Sequence, residues 1–149
     1  MKHELVTYPG FQIIGIATQI PRGNSPEEMG ALWQRFFQEN IWDKIPNKDS
    51  TEIICLYTHY EGGYDDPMTA ILGTKVTASA KAPEDLISHT IATGQYIRFV
   101  GKGAIPDIVA ETWHKIWSSD VEPAFTHTFE VYAGNQDPKN AQIDVYIAV

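Results

Sequence analysis

The sequence predicts an α+β fold in which one strand-helix-strand-strand unit occurs twice, with half-modules at about residues 1–80 and 81–149. Three observations carry this reading. Runs rich in β-branched residues are interrupted by two amphipathic helical stripes, the second half repeats the element order of the first, and Trp33 and Trp113 occupy matching places on the two stripes. The strand after each helix carries Cys55-Leu56-Tyr57 in one half and Glu130-Val131-Tyr132 in the other.

Phe11 to Ile20 reads as a buried strand that closes at Pro21, Gly23 and Asn24. A helix follows. Ser25 is its cap, Pro26 suits the first turn and Glu28 completes a capping box. Met29, Leu32, Trp33, Phe36 and Phe37 recur at spacings of three and four, so they share a face that packs on a sheet. Glu52 to Tyr60 reads as a second strand, ended by Glu61-Gly62-Gly63, and Thr69 to Ala78 as its hairpin partner. Leu86 to Ala92 and Gln95 to Val100 read as two strands joined tightly around Thr93-Gly94. A second helix starts at Pro106, with Ile105, Ile108, Val109, Thr112, Trp113, Ile116 and Trp117 on one face opposite Asp107, Glu111, His114 and Lys115. Thr126 to Ala133 and Gln142 to Val149 are the last two strands.

With 149 residues, of which 43% are hydrophobic and 20% charged, the chain has the balance of one globular domain spanning 1–149. Nineteen acidic against eleven basic residues give a net charge of −8. The basic residues are scattered, so direct binding to nucleic acid or to an anionic membrane is not expected. A lone Cys55 excludes an internal disulfide framework and a multi-cysteine zinc site. The N-terminus lacks the apolar run of a signal peptide, and a cytoplasmic protein is expected. Glu111 and His114 share a helix face but form one isolated pair, and no phosphate loop or nucleophile elbow is present, so no metal and no cofactor are expected. Edge strands leave a homodimer open.

The segment Ile91-Ala-Thr-Gly-Gln-Tyr-Ile-Arg-Phe99, then Gly101 and Gly103, then a helix ending in Trp113-His-Lys-Ile-Trp117, resembles the gyrase-inhibitor-like family, the effector-binding domain of AraC-type transcription regulators. Leu32-Trp33-x-x-Phe36, Phe129-Glu130-Val131-Tyr132 and the terminal IDVYIAV extend the resemblance over nearly the whole chain. The resemblance implies two modules in pseudo-twofold relation, an antiparallel sheet with two helices, and a ligand pocket between the halves. It further implies binding of small lipophilic, often cationic compounds, in a bacterial protein that senses or sequesters a drug or metabolite. No DNA-binding segment accompanies the module, so the stand-alone form is expected.

Glu130 carries most weight. By strand alternation it lies opposite Phe129 and Val131, and a glutamate there faces water unless it lines a pocket, where the resemblance places it. Tyr132, Tyr57 and Tyr96 are strand tyrosines able to point a hydroxyl inward, and Trp33, Trp113 and Phe36 are candidate aromatic walls, although such stripes are more often plain core than ligand cage. Cys55 holds the position in the first half that Glu130 holds in the second. Two alternatives stay open: a small hydrolase using Glu130 and Tyr132 as an acid-base pair, and a protein-binding inhibitor such as a gyrase modulator.

Overall fold

The computed structural model describes residues 3–22, 25–63, 66–134 and 136–149. Among these residues eight strands and three helices follow in the order β1 (His3–Tyr8), β2 (Phe11–Ile20), α1 (Ser25–Gln38), α2 (Ile41–Lys44), β3 (Ile53–Thr58), β4 (Met68–Val76), β5 (Ile87–Ile91), β6 (Gly94–Gly103), α3 (Asp107–Ser118), β7 (His127–Tyr132) and β8 (Ala141–Ala148). This is the expected α+β architecture, with β1 and the short α2 added. The turn read at Gly23 and Asn24, and the Ser25 side chain read as a cap, lie outside the described residues.

All eight strands form one antiparallel sheet in the order β1-β6-β8-β7-β3-β4-β2-β5. The order is symmetric about the β3–β7 pair. Reading outward from that pair, β3-β4-β2 mirrors β7-β8-β6, with α1 inserted between β2 and β3 and α3 between β6 and β7. The register fixes the axis: Cys55 faces Glu130, Ile53 faces Tyr132 and Tyr57 faces Thr128.

The two outer strands are exchanged. β1 precedes β2 in the chain yet pairs with β6, while β5 precedes β6 yet pairs with β2. The tight connection read at Thr93-Gly94 is therefore present, but the strands it joins do not pair with each other. Sequence patterning marks a turn without saying which strand the chain joins next. β1 and β2 stand six places apart, about 29 Å in a flat sheet, whereas Tyr8 to Phe11 spans at most about 11 Å. The sheet must curl until its ends approach. The two connections do meet: the Gly10 amide donates to Thr93 Oγ1 at 2.9 Å. Inside the curl, Tyr8 and Phe11 reach Phe129 with ring centroids 4.9 and 5.3 Å apart, over a core that includes Ile54, Leu56, Ile71 and Tyr96.

The helices pack on the other face of the sheet. α1 lies on β2 and β4, and α3 lies on β6. That leaves β3 and β7 as the floor of a gap between the helices. α3 approaches closely because Gly101 on β6 has no Cβ; one added there would lie 2.1 Å from Thr112 Oγ1. Thr112 is itself fully buried, and its hydroxyl donates to the Ile108 carbonyl at 2.7 Å.

Candidate functional site

Strand alternation sends Cys55, Tyr57, Glu130 and Tyr132 up from the floor towards the helices, while Ile54, Leu56, Phe129 and Val131 point down into the curl. Between α1 and α3 this floor closes the bottom of a pocket of about 980 Å³. Its walls are the inner helical faces, Met29 and Trp33 from α1 and Val109 and Trp113 from α3.

Glu130 sits at the bottom and is 2% exposed. The Trp113 indole N–H donates to its Oε2 at 2.6 Å, and the Tyr132 hydroxyl donates to its Oε1 at 2.7 Å. Tyr57, on the facing strand, also favours the ionised form. Burial raises the carboxyl above its ordinary value of 4.5, and these three groups act against the rise. The same burial, together with the Glu130 charge, pushes the Tyr132 hydroxyl well above its usual range and keeps it a donor.

The aromatic walls repeat the symmetry of the sheet. Trp33, from the first half, meets Tyr132 of the second edge-on at 5.1 Å, and Trp113, from the second half, meets Tyr57 of the first edge-on at 6.2 Å. One turn further along each helix a second ring continues the wall. Phe37 stacks on Trp33 at 6.0 Å, and Trp117 tilts against Trp113 at 5.9 Å. Phe37 and Trp117 are 64% and 55% exposed, and both line the pocket at its mouth. Asp66, in the loop after β3, also lines the pocket and forms an ion pair with Arg22, two residues beyond the end of β2.

Of the residues singled out from sequence, Glu130, Tyr132, Tyr57, Trp33 and Trp113 come together in this pocket. Three others do not. Tyr96 points into the curl, where its hydroxyl meets His127 Nε2. Phe36 is buried beneath α1 as core. Cys55 lies across from Glu130 but is fully buried beneath the pocket surface, and burial and the Glu130 charge hold its thiol well above its ordinary range. The residues that sequence patterning passed over are Phe37, Trp117, Asp66, Tyr60 and the flexible thioethers of Met29 and Met68. Phe37 and Trp117 each stand four places after a wall tryptophan, and that spacing was the available signal. Among the described residues no group of three or more His, Cys, Asp and Glu is placed to hold a metal ion. No helix among them is long and apolar enough to cross a membrane.

A curled sheet carrying two helices over an aromatic pocket is the construction of an effector-binding protein. The family model for Cass2, the integron-associated effector binding protein, matches residues 4–149, and the chain belongs to this family. A Bacillus subtilis (strain 168) protein described as a candidate transcriptional regulator, YobU, is 29% identical over 124 residues, covering 80% of this chain and 78% of its own. Among solved structures, the integron cassette protein of Vibrio cholerae superimposes with a TM-score of 0.75 at 21% identity, over 99% of this chain and 95% of that one. SAV2435 bound to tetraphenylphosphonium superimposes with a TM-score of 0.78 at 20% identity, over 100% of this chain and 94% of that one. At such identities the two superpositions establish the shared fold.

Proposed function

We propose that the protein binds a small lipophilic cation in this pocket, with Glu130 supplying the counter-charge and the paired Trp and Tyr rings the walls. One observation carries the reading: a fully buried carboxylate lies at the bottom of a largely apolar pocket, and none of the ion pairs among the described residues includes it. A buried charge without a partner is costly, and a cation that brings its own apolar surface removes that cost while giving up little hydration. Ring faces add about 0.5–2 kcal/mol for each cation contact. Among the described residues the charged side chains lining the pocket are Glu130 and Asp66, both acidic, which disfavours anions. SAV2435, of the same fold, holds a lipophilic phosphonium.

The test is titration calorimetry with tetraphenylphosphonium and with triphenylphosphine oxide, an uncharged molecule that also carries phenyl rings. The cation is expected to bind at least tenfold more tightly at pH 8. Equal affinities for the two would overturn the reading.

Proton and cation compete for the same carboxylate. The free-protein value of Glu130 is raised, so cation affinity is full above that raised value and falls as pH drops through it, by up to tenfold per unit. Calorimetry at pH 5 and pH 8 is expected to give the weaker binding at pH 5. Affinity for the neutral compound is expected to stay constant across the same range.

A further inference from the structure

Among the described residues two carboxylates line the pocket, and they are not equivalent. Among the described residues the side chains that donate to Glu130 on the floor, Trp113 and Tyr132, are neutral. Asp66 at the rim is paired with the Arg22 guanidinium. Asp66 is also fixed from its own loop, its Oδ2 accepting the Gly63 amide at 2.8 Å, so its position does not depend on Arg22 alone. Arg22 approaches from outside: its side chain is 71% exposed, against 27% for Asp66.

The other half of the molecule shows what is distinctive here. At the corresponding rim, the loop before α3 and the loop after β7 are joined by a backbone bond from the Ile105 amide to the Pro138 carbonyl at 2.8 Å. The lining residues there, Ile105, Pro106, Gln136 and Pro138, carry no charge. A built-in guanidinium therefore occupies one of two carboxylates in a pocket whose other carboxylate is uncompensated.

We propose that Arg22 determines how many charges a ligand carries: by occupying Asp66 it leaves the pocket with one open carboxylate and so selects monocations over bis-cations. The proposal rests on the cation-binding reading of the pocket and adds a specificity residue to it. Leu72 is level with Cys55 and hence with Glu130, and Asp66 lies six residues before Leu72, about 20 Å or less along the strand direction. A bis-cation with an extended linker can reach from one carboxylate to the other. An exposed ion pair is weak in water, so replacing Arg22 costs the fold little while leaving Asp66 unpaired in a partly desolvated rim.

Affinities are measured for tetraphenylphosphonium, as the monocation, and for dequalinium, two quinolinium rings joined by a decamethylene chain, as the bis-cation. In Arg22→Gln, dequalinium is expected to gain about fivefold or more while tetraphenylphosphonium changes by less than about twofold. Adding Asp66→Asn to that variant is expected to return the ratio to its original value. An equal gain for both ligands would mean that Arg22 acts only through the overall field, and an unchanged ratio would mean that Asp66 is no subsite. Either result overturns the proposal, as does a wild type that already prefers dequalinium through both carboxylates. If wild type binds neither cation, the cation-binding reading fails first; if it binds tetraphenylphosphonium and Arg22→Gln leaves the ratio unmoved, only the present inference fails.

Discussion

Glu130→Gln is expected to melt a few degrees above the wild type at neutral pH while losing at least about 30-fold in affinity for tetraphenylphosphonium. The two effects share one cause. Glutamine keeps an acceptor for the Trp113 indole N–H and removes a charge that burial disfavours. The gain in stability, on the order of 1–2 kcal/mol, corresponds to about 2–8 °C in a domain this size. The loss in affinity follows because truncating one member of a buried charge pair typically costs about 2–5 kcal/mol.

The stability effect has a pH signature. The folded-state value of Glu130 lies above its ordinary 4.5, so the folded protein holds its proton more tightly than the unfolded chain does. The wild type keeps this contribution in full below the ordinary value and loses it as pH rises through the raised one. The gap in melting temperature between Glu130→Gln and wild type is therefore expected to be small at pH 4 and to widen towards pH 8. A gap that does not change with pH would show that the carboxyl is not strained by burial. Retained cation affinity in the variant would remove Glu130 from the site.

The second large effect is expected at Gly101, which does not line the pocket. Gly101→Ala places a Cβ 2.1 Å from Thr112 Oγ1 and 3.1 Å from Ile108 Cγ1, contacts that α3 can relieve only by moving away from β6. Overpacking of this kind costs about 1–3 kcal/mol, or roughly 2–12 °C in melting temperature. Trp113 directly follows Thr112 on α3, so the same movement carries the indole away from Glu130 and weakens cation binding. Differential scanning calorimetry and phosphonium titration are the measurements. Combining Gly101→Ala with Thr112→Ala removes the clashing hydroxyl and is expected to recover a large part of both losses. A Gly101→Ala protein that melts with the wild type would show that α3 is not seated by this contact.

The two long helices and seven of the eight strands were legible because each is written in a local period. The stripe of Leu32 and Phe36 and that of Ile108, Thr112 and Ile116 are buried along their helices as a 3.6-residue repeat requires. Phe11 to Ile20 folds as the strand its β-branched residues predict. β1 was not legible: HELVTY has an exposed Leu5 and charged neighbours, and what holds it is an edge of β6 ninety residues away in the chain. The exchange of β1 and β5 is likewise a property of the closed sheet, absent from either segment alone.

For the site, alternation placed Glu130 and Tyr132 on one face, and that is where they stand. Alternation also placed Tyr96 on a strand face, but which face looks towards the helices depends on strand pairing, and Tyr96 was assigned to the pocket when it belongs to the inner core. Phe37 and Trp117 were read as ordinary members of their stripes. The periodicity of a helix shows which side is apolar without showing whether protein or an open pocket lies against it.

The register at the centre of the sheet has one more consequence. Cys55 and Glu130 face each other across the axis that relates the two halves. Two identical halves would set glutamate against glutamate at that point, as direct cross-strand neighbours about 5 Å apart. Carboxyls so close and so buried cannot both ionise; they would share one proton and hold a single charge between them. A cysteine on one side breaks the symmetry at the position where symmetry would spread one charge over two carboxyls, so the charge belongs to Glu130 alone, within a frame of rings that remains paired on both flanks.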